Sequence, residues 1–233
     1  MSLSTIHPEK SEWIEVDGIR YSRRPIKTPL VTKQDKLLDV CQTYAAPQMQ
    51  KDDVLFISEK CVACTQNRAI EMKDIHPRPL AVLLSRFVTK TPHGIGLGIP
   101  ETMEMALQEC GTPRILLAAA AGAAGKLLGQ HGWFYRVAGP RAACIDGPCE
   151  NTIPPYNHCV VLAPLHPNET AAALAEQMGH PVMIVDINDL GGNILGVSDN
   201  SLDPALYVRI LKDNPLGQSR ESTPLGLIHS VPS

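Results

Sequence analysis

Residues 159–185 constrain the fold more than any other stretch. Two apolar runs, Cys159-Val160-Val161-Leu162 and Val182-Met183-Ile184-Val185, flank a segment of good helix formers, Asn168 to Met178, that opens on a capping-type Asn. A short apolar run bounded by polar residues is the signal of a buried strand, and helix formers between two such runs signal a connecting helix. The passage therefore predicts a strand–helix–strand unit and a mixed α/β chain. Two acids stand beside apolar runs of this kind. Asp186 follows Val182–Val185 and precedes Asn188, Asp189 and a Gly-Gly pair. Asp146 follows Ala142-Ala143-Cys144-Ile145, read as a further strand, and precedes a Gly-Pro turn. Strand ends hold side chains rigidly while their loops stay open to ligand, and two carboxylates there suit a hard divalent cation. Asp before Gly or Asn is also ordinary turn chemistry, so spacing alone leaves both readings open.

Bulk properties narrow the class. The 233 residues, 44% hydrophobic and 19% charged, are enough for one large core and exclude a disordered chain. A net charge of -3, with no basic stripe interleaved with aromatics, argues against a nucleic-acid partner. No stretch reaches the roughly 18 apolar residues of a membrane span. Ile115 to Leu128 comes nearest, but it is rich in Ala and Gly and is broken by Lys126. The first residues lack a signal pattern, and seven cysteines, an odd number, fit a reducing compartment. The expectation is a cytoplasmic protein with no membrane association.

Along the chain, residues 1–18 read as a polar arm or first edge strand. Arg23, Arg24 and Lys27 form a basic cluster, either a phosphate contact or a solvated face. Asp35 reads as the N-cap of a short helix bearing Leu37, Leu38, Val40 and Cys41. Asp53 to Ser58 reads as a buried strand, and Glu59 to Arg68 as a second one. Pro79 to Val88 reads as helical. The glycines of His93 to Gly98 precede a helix over Glu101 to Cys110, with Pro100 suited to its first turn. That loop fits a phosphate cradle, a lid or a plain turn, and its spacing matches neither the dinucleotide fingerprint nor the P-loop. Arg114 to Gly129 reads as helix or strand plus helix, Gly132 to Val137 and Ile194 to Val197 as strands, and Pro204 to Leu211 as a helix. Residues 213–233 read as a tail, apart from Leu225 to Ile228. With no repeat or linker, the expectation is a single domain over 1–233. Cys61, Cys64, Cys144 and Cys149 could supply four thiolates to zinc or a redox pair, whereas separate buried thiols are the ordinary outcome.

Three separated segments, in order, resemble the coenzyme F-420:L-glutamate ligases, the gamma-glutamyl ligases of the CofE type. Thr28-Pro29-Leu30-Val31 with Asp35-Lys36-Leu37 is similar to that family's N-terminal nucleotide-contacting turn and helix. Asp53-Val54-Leu55-Phe56-Ile57-Ser58-Glu59-Lys60 is similar to its second strand motif. Ala143-Cys144-Ile145-Asp146 and Ile184-Val185-Asp186-Ile187-Asn188 are similar to the segments carrying its two metal aspartates, and Leu162-Ala163-Pro164-Leu165-His166-Pro167 is similar to a motif between them. The chain also departs from the pattern. The family's lysine after the second strand falls at Cys64, its threonine after the second metal aspartate at Ile187, and its arginine at Leu190. The later glycine-rich nucleotide loop is missing, and residues 90–129 form a divergent insert or lid.

The resemblance implies a CofE-like α+β or mixed α/β fold, with a mixed sheet, flanking helices and an intertwined homodimer. It implies amide-bond formation between small-molecule carboxylate and amino-acid substrates through an acyl phosphate, with GTP or ATP as co-substrate and Mg²⁺ or Mn²⁺. Asp146 and Asp186 would hold the metal with Asn188. Arg136 would act beside them, and Thr28, Pro29, Leu30, Val31, Lys60 and Asn151 would meet the nucleotide. A non-catalytic ligand-binding or partner protein of the same fold is the alternative that the departures favour.

Overall fold

The structure, a computed structural model, describes residues 10–88, 95–189, 191–217 and 220–231. Two hairpin-forming strands open it, β1 (Trp13–Val16) and β2 (Ile19–Ile26). Then come the short helix α1 (Leu37–Val40), strand β3 (Val54–Ser58) and helix α2 (Glu59–Thr65). The middle of the chain holds β4 (Ala69–Glu71), α3 (Pro79–Ser85), α4 (Pro100–Cys110), α5 (Thr112–Leu127), α6 (Trp133–Ala138), α7 (Pro140–Ala143) and β5 (Cys159–Val161). The last part holds α8 (Pro167–Met178), β6 (Val182–Asn188), β7 (Gly191–Val197), α9 (Pro204–Ile210) and β8 (Leu225–Val231). These elements form two compact units, residues 1–67 with 164–233, and residues 68–163.

The first unit is built on a six-stranded mixed sheet in the order β1-β2-β8-β3-β6-β7. Only β3 and β6 pair in parallel; the other neighbours are antiparallel. The central strands are apolar on both faces because both are covered. Leu55, Ile57, Val182, Ile184, Leu225 and Leu227 face a cluster with Val40, Val62 and Leu174. Phe56, Met183, Val185 and Ile228 face the other way, onto Ile210 and Leu211. The strand residues Leu225 to Val231 therefore are not a tail. β8 lies between β2 and β3, and its Leu225 and Leu227 are wholly buried.

Several expectations change with the fold. Glu59 to Thr65 is helix, not strand, so Cys61 and Cys64 sit one turn apart on a buried face. Trp133 to Ala138 is also helix. Gly132 and Gly139, both at positive φ, bracket it, and the aromatic run reads like a strand only if those stops are ignored. The 159–185 passage is not a single strand–helix–strand unit, since β5 pairs with β4 in a separate two-stranded ladder and the parallel partner of β6 is β3. Asp35 is not the N-cap of α1. Its carboxylate instead accepts from the backbone N–H of Thr32 at 2.7 Å and from the Thr32 hydroxyl, closing the preceding turn. Asn168 lies inside α8 and accepts from the Val197 N–H at 3.0 Å. Arg23 is no solvated group: it is 1% exposed and its guanidinium meets Asp213 and the Ile210 carbonyl.

The second unit packs Leu97, Met103, Leu107, Ile115, Ala118, Ile145 and Val160 into its own core. α5 and α6 approach closely because α5 carries glycine at the contact. A Cβ on Gly125 would come within 3.0 Å of the Trp133 ring. Glu109 on α4 is shared by Arg68 and Arg141, both at 2.6 Å. His93 and Gly94 of the glycine loop, and Leu190, lie outside the described residues.

Candidate functional site

β2, β3 and β6 all run in the same direction. β3 and β6 are parallel, and β2 and β3 each pair antiparallel with β8. Their C-terminal ends therefore open on one edge of the sheet. Parallel-strand ends are where α/β proteins expose functional groups, because the apolar strand fixes the backbone and the next residues turn away from the sheet. Register places Ser58 opposite Val185, so the next residue on each chain is an acid, Glu59 and Asp186. Glu59 opens α2 and is buried, and Asp186 is half-buried in β6. Their carboxylate oxygens lie within 4.8 Å of each other. Paired carboxylates of this kind are hard oxygen donors.

Asn188 lies two residues beyond Asp186 and so projects from the same face of β6. Lys60 is exposed and follows Glu59 in the first turn of α2. The Thr28-Pro29-Leu30-Val31 turn leaves β2 at the same edge. Thr28 is buried and tied down: its N–H donates to the Ser222 carbonyl at 2.9 Å, and the Ser222 hydroxyl donates to its carbonyl at 2.8 Å. At the β6–β7 turn, exposed Asp189 meets Lys10 Nζ at 2.9 Å, and the same ammonium donates to the Asn214 carbonyl at 2.8 Å. Thr28 to Val31, Lys60, Asp186 and Asn188 are thus gathered at one end of one sheet, with Glu59 among them.

Asp146, Arg136 and Asn151 belong to the second unit. Asp146 does not end a strand formed by Ala142 to Ile145. Pro140 starts a helical turn there, Ala142 and Ile145 enter the core, and Asp146 forms a reciprocal backbone bridge with Val161, both bonds at 2.9 Å. It is half-buried. Arg136 is exposed on α6 and Asn151 is exposed in the turn after Gly147. Arg141 is held by Glu109.

Glu59 is the residue that strand reasoning missed. The signal was present: an acid directly after a buried strand, the criterion that singled out Asp186. Reading 59–68 as strand hid it. Thiol chemistry finds no support at Cys41 and Cys61. Burial pushes the Cys61 thiol well up, with Cys41 and Cys64 adding to it, and burial pushes Cys41 to about 12. A zinc or redox thiol needs the opposite shift.

The family model for F420-0:Gamma-glutamyl ligase matches residues 25–196. The chain belongs to that family. No curated protein matches the chain. The matched span runs from the end of β2 through most of β7, so it contains Thr28 to Val31, Glu59, Asp146 and Asp186. A family of ligases active in F420 biosynthesis is the setting in which the two adjacent carboxylates are to be understood. Among the described residues no helix is long and apolar enough to cross a membrane.

Proposed function

We propose that this protein joins a carboxylic acid to an amino acid through an amide bond, using GTP or ATP and a divalent cation, Mg²⁺ or Mn²⁺. The observation that carries the reading is the Glu59–Asp186 pair at the ends of adjacent parallel strands, within a chain of a ligase family. Carboxylate oxygens at this separation are a hard donor set, which fits a cation that keeps water and phosphate oxygens as its other ligands. Glu59 and Asp186 would hold it, with Asn188 as a further oxygen on the same face. When bound, the cation would neutralise phosphate charge as the γ-phosphoryl group moves.

The reaction has two steps. A substrate carboxylate oxygen takes the γ-phosphoryl group and the nucleoside diphosphate leaves. The amine then attacks the acyl carbon, loses a proton, and expels inorganic phosphate. Side chains need not bond to substrate in either step, so rate comes from placement and charge. The clamped turn Thr28–Val31 offers a rigid backbone wall for the nucleotide. Lys60, at the start of α2, offers a cation beside helix amides that favour anions. For Asp146, Arg136 and Asn151 the support is the family resemblance alone.

Incubation with GTP or ATP, Mn²⁺ and a panel of acids and amino acids tests the reading. Release of nucleoside diphosphate that requires both an acid and an amine is expected. Asp186→Asn should weaken Mn²⁺ binding, read directly by titration, as well as turnover. A chain that binds nucleotide yet releases no diphosphate would favour the second reading, a non-catalytic family member. That reading has its own observation: the position of the family lysine is Cys64, 6% exposed inside α2, and the position of its threonine is Ile187.

A further inference from the structure

Past Val185, β6 leaves the body of the sheet. Its pairing with β3 ends where Ser58 meets Val185. Among the described residues, Asp186, Ile187 and Asn188 then pair with Asn193, Gly192 and Gly191 of β7, the edge strand. Asp186 and Asn188 thus stand on a two-stranded ribbon. Such a ribbon is marginal by itself, and the two glycines give it no side chains to pack. Ile187 rests on an apolar cluster of the sheet and fixes the ribbon at its middle. The tip, Asp189, is held from another part of the chain.

Lys10 holds it. Its Nζ donates to Asp189 Oδ1 at 2.9 Å and to the Asn214 carbonyl at 2.8 Å. Asn214 is a firm anchor. It is wholly buried, its N–H donates to the Leu211 carbonyl at 2.9 Å, and its side-chain amide donates to the Gly217 carbonyl at 3.0 Å. The chain beside Lys10 is pinned by buried Arg23, whose Nη2 donates to the Ser11 carbonyl at 2.6 Å and whose backbone N–H donates to the Glu12 carbonyl at 2.8 Å. We infer that Lys10 is a positioning residue: it tethers the ribbon tip to the loop at Asn214, so that Asp186 and Asn188 keep their place for a cation. The inference rests on the proposed cation site and adds to it a residue from a distant segment. Lys10 and Asn214 both lie outside residues 25–196, the span that the family model matches.

Charge and placement act on a bound cation with opposite signs. Removing the Lys10 ammonium takes positive charge away from the neighbourhood, which by Coulomb's law alone favours Mn²⁺. Freeing the ribbon tip weakens binding, because the ligands must then be ordered when the cation arrives. Lys10→Met, similar in length but without the charge, separates the two. Titration should show about 5-fold weaker Mn²⁺ binding, the scale of a part-exposed ion pair. The urea midpoint should stay level, amide hydrogen exchange over 186–193 should quicken, and Lys10→Arg should restore the affinity. Unchanged or tighter Mn²⁺ binding in Lys10→Met would overturn the inference, and so would an equal loss in Lys10→Arg. A wild type that takes up no Mn²⁺ would sink the cation site itself. Hydrogen exchange then decides the tether alone: equal exchange over 186–193 in wild type and Lys10→Met would overturn it.

Discussion

β3 has an acid at each end, and the two are treated in opposite ways. Asp53, just before the strand, is wholly buried, and its neighbours are all donors. His229 Nδ1 lies 2.7 Å from one oxygen, and Arg24 and the Gln50 N–H reach the other at 2.9 and 3.0 Å. Glu59, just after the strand, lies against another carboxylate, Asp186. A buried acid enclosed by donors is a structural tie, because its charge is already answered by the protein. Two acids brought together at strand ends are an arrangement found at functional sites, where a bound cation can sit between them. One short strand therefore separates an end tied down by donors from the end that the proposed function uses.

The contrast breaks most sharply through variants of the chemical end. Glu59→Gln and Asp186→Asn should each lower turnover about 10²- to 10³-fold, the usual loss when a group that stabilises transition-state charge is removed. Resistance to urea should change little, since both substitutions keep the size and polarity of the side chain. A variant that keeps full diphosphate release would end the assignment of that residue. At the other end, Asp53→Ala should cost about 2–4 kcal/mol of stability, read from the urea midpoint, because it leaves the Arg24 guanidinium without its carboxylate. The upper part of that range is tempered by Arg24 and His229 being about a quarter exposed. Mn²⁺ affinity should not change. A stable Asp53→Ala protein with weakened metal binding would reverse the roles given to the two ends.

How much of this was legible follows from where the information is local. The strands around Asp53–Ser58 and Val182–Val185 were readable because short apolar runs with polar boundaries carry their own signal. So was the helix behind Pro100, where the missing N–H of proline suits the first turn. The central position of β8 was not readable. Leu225 to Val231 follows a Pro- and Ser-rich stretch, and nothing local says that it inserts between β2 and β3. Nor does local sequence place Glu59 beside Asp186, which are 127 residues apart in the chain and meet only through strand register. The aromatic run Trp133 to Val137 misled in the other direction. β propensity was overridden by two glycine stops and by packing against Gly122 and Gly125 of α5.

The strand that joins the two ends can be perturbed without touching either acid. Gly226 in β8 lies opposite Phe56, and a Cβ there would sit 2.3 Å from the ring. Phe56 is wholly buried, so the ring has no free space to move into. Gly226→Ala should cost about 1–3 kcal/mol in urea unfolding, the range for overpacking a filled core. Turnover under native conditions and Mn²⁺ affinity should stay within about twofold, since the added Cβ meets the Phe56 ring and neither acid. A large fall in metal affinity with little loss of stability would mean that the two ends are mechanically coupled through β8.

The smallest effect concerns the dry layer between the ends. Cys41 and Cys61 both lie in the apolar cluster that covers one face of the sheet. Burial holds the Cys41 proton up to about 12, against an ordinary thiol near 9. The sign of the linkage follows: the folded chain keeps a proton that the unfolded chain gives up, so this contribution to stability is complete below about pH 9 and is lost as pH rises toward 12. Urea midpoints should be level through neutral pH and decline only on the alkaline side. At pH 8 an alkylating reagent should modify exposed Cys149 and spare Cys41 and Cys61. Rapid modification of Cys61 in the folded protein would show that water reaches the layer, and the separation between a structural end and a chemical end would then rest on register alone.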